Sequence, residues 1–175
     1  TIARRTAEQF SLPWMGKDMV KELLFDTLGW QDREWSKKLS WASVVVLFRF
    51  LEAQVMARRS CIVESNFEAE YDTARFLALR ERYDFDLIQI DCICDGQVLF
   101  ERFKRRTESG ERHPGHLDHA NYDEFREMLL QGRSEPLKIG GRRIEIDTTD
   151  FEAIDYQALL AEIAQALGEN RSSQE

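Results

Sequence analysis

From Leu87 to Cys94 the chain reads Leu-Ile-Gln-Ile-Asp-Cys-Ile-Cys, an Ile-rich apolar run that is short and closely bounded. Such a run reads as a strand buried on both faces, and such strands belong to parallel sheets covered by helices. The rest of the chain supplies those helices. Residues 1–10 have helical spacing, with Ile2, Ala3, Ala7 and Phe10 on one side. Leu12 to Met15 reads as a short strand, and Lys17 to Thr27 as a helix ended near Gly29. Asp32 to Arg59 is a long helix with an expected stripe of Trp35, Leu39, Ala42, Val46, Phe50 and Ala53. Cys61-Ile62-Val63 is a brief strand, and Asp72 caps a helix running to Tyr83. Gln97 to Thr107 and Tyr122 to Gln131 are helical, the second closed by Gly132. Ile144 and Ile146 mark a last strand after Gly140-Gly141, and Tyr156 to Leu167 a final helix. Strands separated by helices imply an α/β fold with a mainly parallel sheet.

The chain has 175 residues, of which 43% are hydrophobic, with 11 Phe and 4 Trp. That suffices for one domain with a real core, expected over 1–167 with 168–175 as a polar tail. No uninterrupted apolar run reaches the ~18 residues of a membrane span, and no secretory signal is visible, so the expectation is a cytoplasmic protein without a membrane partner. Cys61, Cys92 and Cys94 form no C-x-x-C and read as reduced core thiols. A net charge of -8 and a pI near 5.0 argue against nucleic acid or anionic membrane as partner. Trp30, Trp35 and Trp41 fit either core or a homodimer interface.

Against that acidic background, residues 101–116 carry five Lys/Arg and three acids, with two of the three histidines. The segment begins as a helix and breaks at Ser109-Gly110 and Pro114-Gly115. A cationic helix end leading into a turn-rich segment suits a cover over phosphate, because the arginine fork binds phosphate oxygens two at a time. The competing reading is a solvated charged face. Ligands of open α/β sheets sit beyond the carboxyl ends of the strands. That rule gathers Lys17 and Asp18, then Glu64, Ser65 and Asn66, then Asp95 with the basic helix, and finally Asp147 to Asp150. His113, His116 and His119 with Asp118 could be taken for a metal set, but Pro114-Gly115 interrupts their spacing and no cysteine is near. Hydrogen bonding within the loop is the better expectation.

Ser11 to Asp18 (Ser-Leu-Pro-Trp-Met-Gly-Lys-Asp) mimics a phosphate loop without being one. The loop needs a strand before it and a hydroxyl after its lysine, so that successive backbone N–H groups wrap phosphate. Here a helix precedes it, and the Asp18 carboxylate would repel phosphate.

Four stretches together carry a resemblance: Thr1-Ile2-Ala3, Lys17 to Asp26, Ile62-Val63-Glu64-Ser65-Asn66-Phe67, and Glu101 through His116. In order and spacing the chain resembles the small P-loop kinases of the zeta-toxin and chloramphenicol-phosphotransferase type, also described as AAA-family ATPases or kinases. The resemblance implies a three-layer α/β/α P-loop NTPase fold of nucleotide-kinase kind. It places the first strand and the Gly-Lys-Ser-Thr loop upstream of Thr1, which would be that loop's last residue. It implies ATP and Mg²⁺ as cofactors and transfer of the γ-phosphoryl group to a hydroxyl of a small or medium-sized acceptor. Asp18, in Asp18-Met19-Val20-Lys21, would be the general base, and Lys21 and Asn66 would hold the acceptor. Asp18 also suits a helix N-cap, and the two roles are compatible. Glu64 would stand near the magnesium ion. Arg102 would approach the nucleotide, and Arg106 and Arg112 would be arginines of a lid over about 103–121, catalytic and nucleotide-binding. Spacing does not separate Arg105 from Arg106, although Arg106 shares a face with Arg102. Two other readings stand beside this transferase: a nucleotide- or partner-binding domain without catalysis, and a kinase of nucleic-acid ends.

Overall fold

The computed structural model describes residues 1–118 and 122–172. The chain divides into two units, one formed by Thr1–Asn66 and Arg102–Phe125, the other by Phe67–Glu101 and Arg126–Glu175.

The first unit opens with α1 (Ile2–Phe10), whose N-cap is Thr1: its hydroxyl accepts from the Arg4 N–H at 3.2 Å. Strand β1 (Trp14–Gly16) follows and runs directly into α2 (Lys17–Leu28), which places Lys17 and Asp18 in the first turn. A carboxylate there is favoured by the helix dipole. Gly29 reverses the chain at φ 80°, and Asp32 caps α3 (Arg33–Met56) by accepting from the Trp35 N–H at 2.8 Å. Strand β2 (Ile62–Glu64) pairs parallel with β1, Trp14 opposite Ile62 and Gly16 opposite Glu64. This register sets Glu64 at the level of the start of α2.

Helix α3 packs on α2, but not by the expected stripe. Its buried face is Ser36, Leu39, Ser43, Leu47, Leu51 and Val55, whereas Val46 and Ala53 are exposed. Only Leu39 is common to the two sets. Two serines, small enough for close helix approach, occupy positions that a count of apolar side chains passes over. The Ser43 hydroxyl satisfies itself on the Leu39 carbonyl at 2.7 Å. Leu47 and Phe25 are each 1% exposed, and burial of that completeness stabilises by about 2–3 kcal/mol per side chain. The same helix is long and apolar enough to cross a membrane, with a mean hydropathy of 1.4 over its best window. Counting unbroken runs missed this because Arg49 and Glu52 interrupt the run without much lowering its average. Trp30 and Trp41 are exposed and Trp35 is half-buried, its indole N–H donating to the Gly29 carbonyl at 3.0 Å.

The second unit holds α4 (Ala69–Tyr83), β3 (Ile88–Ile93), the start of α5 (Gly96–Glu108), the end of α6 (Tyr122–Leu130), β4 (Arg142–Asp147) and α7 (Tyr156–Ser172). Strands β3 and β4 are parallel, from Ile88 opposite Arg142 to Ile93 opposite Asp147. Phe76, Phe100, Ile144, Ile146, Leu159 and Ile163 form its core. Helix α4 starts earlier than expected, at Ala69 after Glu68. Asp72 is not its N-cap; it lies one turn in and accepts from the Glu68 N–H at 2.9 Å. Strand β3 is half-buried instead of covered on both faces, and Cys92 is exposed, so it is no core thiol. Cys61 is partly buried, and burial pushes its thiol up to about 11. Gly132, at φ 69°, closes α6 where a Cβ would come within 2.0 Å of the Cys94 carbonyl oxygen. Helix α7 continues through Ser172, so residues 168–172 are helical where a tail was expected. Residues 173–175 and the end of the expected lid, 119–121, lie outside the described residues.

Candidate active site

In the first unit α2 presents Asp18, Glu22 and Asp26 at i, i+4 and i+8, an acidic ladder along one face. The segment after α5 docks against it, rung by rung. Arg112 donates from its NH1 to Asp18 Oδ2 at 3.0 Å. His116 Nε2 meets Glu22 Oε1 at 3.0 Å, and His113 Nε2 meets Asp26 Oδ1 at 3.2 Å. Between the rungs lies Phe25, stacked on His113 and edge-on to His116, with ring centroids 5.0 and 5.3 Å away. Pro114–His116 forms a 3-10 turn capped by the His113 imidazole, which accepts from the Gly115 N–H at 3.0 Å. The break at Pro114-Gly115 therefore builds an ordered docking element. His113 and His116 bond within the loop as expected, and also to the α2 acids; no cluster of three metal-ligating side chains exists among the described residues, and His119 lies outside them.

Arg112 is the centre of this arrangement. Besides Asp18 it bonds Asp118 through Nε and meets His116 Nδ1 through NH2 at 3.1 Å. Burial works to lower the guanidinium's pKa, but Asp18 and Asp118 outweigh it and raise it, so Arg112 stays charged. Burial likewise works to raise the Asp18 carboxyl, and Arg112 beside it overrides this and holds it below the usual carboxylate range. For His116, burial first and Arg112 second push the imidazole down to about 3, so it is neutral. Its tautomer follows from bonding alone. Arg112 can only donate, so Nδ1 accepts and Nε2 carries the proton given to Glu22.

Lys21, one turn after Asp18, is 5% exposed, its ammonium 5.3 Å from the centre of the Phe25 ring. Burial, then neighbouring Lys17, lower it to about 8. Arg106 lies in the field of Arg112, Asp118, Asp18 and Glu22, with burial and Arg112 lowering its pKa. Arg102 is half-buried one turn earlier on α5. Asn66 accepts from Lys17 Nζ at 2.7 Å. Glu64 is raised by burial, and the Thr1 hydroxyl donates to its Oε2 at 3.4 Å. Asp18 also acts on Glu64 through its charge. Asp18, Lys21, Arg106 and Arg112 are thus brought together around the start of α2, with Glu64, Thr1, Asn66 and Lys17 at the adjoining strand end. Glu22, Asp26 and Asp118 were missed as partners; the acid spacing on α2 was the signal that could have found the first two.

No family model matches the chain, and no curated protein does. A solved structure does: the crystal structure of a putative kinase from Chloroflexus aurantiacus J-10-fl, 34% identical, with a TM-score of 0.85 over 97% of this chain and 88% of that one. The chain belongs to the family of that protein. Its mixed α/β architecture with parallel strands is accordingly a kinase-like fold.

Proposed function

We propose that the protein is an ATP-dependent phosphotransferase of the small P-loop kinase type, related to the zeta-toxin and chloramphenicol-phosphotransferase enzymes. Support comes from membership of a family that includes a kinase-named structure. The observation that carries the reading is the Arg112 guanidinium seated between Asp18 and Asp118 at the end of a parallel strand pair. Phosphoryl transfer asks a protein mostly for positioning and for charge stabilisation. Asp18 keeps 49% of its side chain exposed and so is reachable by an acceptor hydroxyl. It orients that hydroxyl and takes its proton as the acceptor oxygen bonds phosphorus and ADP departs. A low carboxyl pKa makes Asp18 a weak base, which suffices for a loose transition state. Arg112 and Arg106 stabilise negative charge on the transferred group. Lys21 and Asn66 hold the acceptor, and Arg102 contributes to nucleotide binding.

Among the residues present, Glu64 and Thr1 fit the implied Mg²⁺. Glu64 is a desolvated carboxylate beside the Thr1 hydroxyl, an oxygen pair suited to Mg²⁺, and Thr1 is also the helix cap. Mg²⁺ with ATP would supply the phosphoryl group and partly neutralise its charge. In this reading the kinase has a lid over about 103–121 and acts in the cytoplasm on a hydroxyl of a small or medium-sized acceptor. A net charge of -8 weighs against nucleic-acid ends as acceptor.

The test is a phosphoryl-transfer screen of hydroxyl metabolites with labelled ATP and Mg²⁺, using the protein from its complete reading frame. Transfer to at least one acceptor supports the reading. If no acceptor is labelled and ATP with Mg²⁺ leaves the melting temperature unchanged, the reading falls.

A further inference from the structure

The two carboxylates that grip Arg112 differ in one respect. Asp18 leaves about half of its side chain open, whereas Asp118 is 6% exposed. An exposed carboxylate can meet a substrate; one enclosed by protein cannot. Asp118 takes the Nε edge of the guanidinium, and NH1 extends to Asp18. His116, 3% exposed, braces NH2 and is itself braced by Glu22. A lone arginine on a lid would follow whichever anion came nearest. Arg112 is instead held at Nε and NH2 by buried groups of its own segment, with NH1 presented to the reacting side.

We propose that Asp118 is a positioning residue for phosphoryl transfer: its enclosed carboxylate holds the Nε edge of Arg112, so that NH1 stays aimed at Asp18 and at the group passing beside it. This inference rests on the phosphotransferase reading above. No bond to Asp118 forms or breaks in the reaction. Its contribution is to spare the transition state the reorientation of a flexible cation. The same carboxylate charge also acts on Arg106.

The experiment compares the wild-type protein, Asp118→Asn and Asp118→Glu, with ATP and Mg²⁺ as the probe and water as the acceptor. Asparagine keeps the shape and removes the charge; glutamate restores the charge. Asp118→Asn is expected to lower kcat for ATP hydrolysis roughly 10- to 100-fold, short of the ~10²–10³ that losing a stabilising donor outright costs. KM for ATP should change by less than about 3-fold, because Asp118 contacts Arg112 and not the ligand. Asp118→Glu should regain part of kcat. A purely structural role would move both constants with the melting temperature and show no such split. A second readout needs no turnover: the Arg112 Nε–H resonance should exchange slowly in the wild-type protein and measurably faster in Asp118→Asn, whose neutral amide oxygen is a weaker acceptor. Wild-type kcat in Asp118→Asn, or equal losses in kcat and ATP affinity, overturns the proposal. If Asp118→Asn does not fold, wild-type Arg112 Nε–H exchange as fast as that of exposed Arg49 overturns it. A wild-type protein that neither hydrolyses nor transfers from ATP sinks the phosphotransferase reading and this role with it. That outcome is distinct from an active enzyme indifferent to Asp118.

Discussion

Gly115 lies so close to Phe25 that a Cβ on the glycine would come within 2.7 Å of the ring. Phe25 is 1% exposed and held between two imidazoles, so it has nowhere to move. The contact fixes how near the 3-10 turn sits to α2, and through it how far Arg112 and His116 reach.

Gly115→Ala should therefore destabilise by overpacking, at about 1–3 kcal/mol. The backbone angle is not the cause, since Gly115 is absent from the positive-φ glycines. Denaturant unfolding measures the loss, and phosphoryl transfer by the folded fraction should drop because the arginine is displaced. Unchanged stability would mean that the turn does not rest on Phe25 in solution.

Asp18→Asn should reduce turnover about 10²- to 10⁴-fold, the range for loss of a positioned acid or base. ATP affinity should change far less, which separates the acceptor side from the nucleotide side. Equal losses in both would contradict a base or orienting role for Asp18. The substitution also leaves Arg112 without one of its two carboxylates, so unfolding should be monitored in parallel.

The fold was legible where periodicity and punctuation agreed. Gly29, Asp32 and Gly132 mark ends that the structure keeps, and Trp14–Gly16 and Ile62–Glu64 were found to within two residues. The buried face of α3 was not legible, because Ser36 and Ser43 are buried for their small size and apolar counting ignores them. In the site, Asp18 and Arg112 could be named from charge and position, yet their direct bond could not. A separation of 94 residues leaves no local trace of a pairing. Asp118 was visible as a candidate ligand, but only three-dimensional placement shows an arginine on it.

Neutral His116 should leave a signature in acid. Its folded pKa, near 3, lies below the ordinary imidazole value of 6.5, so below about pH 6.5 the unfolded chain binds a proton that the folded chain refuses. Stability is then lost as pH falls from 6.5 towards 3. In His116→Asn that increment is missing. The stability difference between wild type and variant should shrink as pH is lowered from 7 to 4.5, measured by urea unfolding at each pH. A constant difference across that range would show that His116 is not held neutral.

Lys21 should act in the opposite range. It is pressed down to about 8 from 10.5, so between those values the unfolded chain holds a proton that the folded chain has released. Stability due to this group rises with pH across that window, and below pH 8 the folded protein carries the full cost of an enclosed ammonium. That cost amounts to roughly 3 kcal/mol, since each tenfold change in proton affinity is worth about 1.4 kcal/mol. Lys21→Met keeps the volume and removes the charge, so it should be more stable than wild type at pH 7. The advantage should fade as pH approaches 10. If Lys21 holds the acceptor, the same variant should raise the acceptor KM while leaving ATP affinity nearly unchanged. A Lys21→Met protein less stable than wild type at pH 7 would place the ammonium in a better-solvated position than its 5% exposure describes.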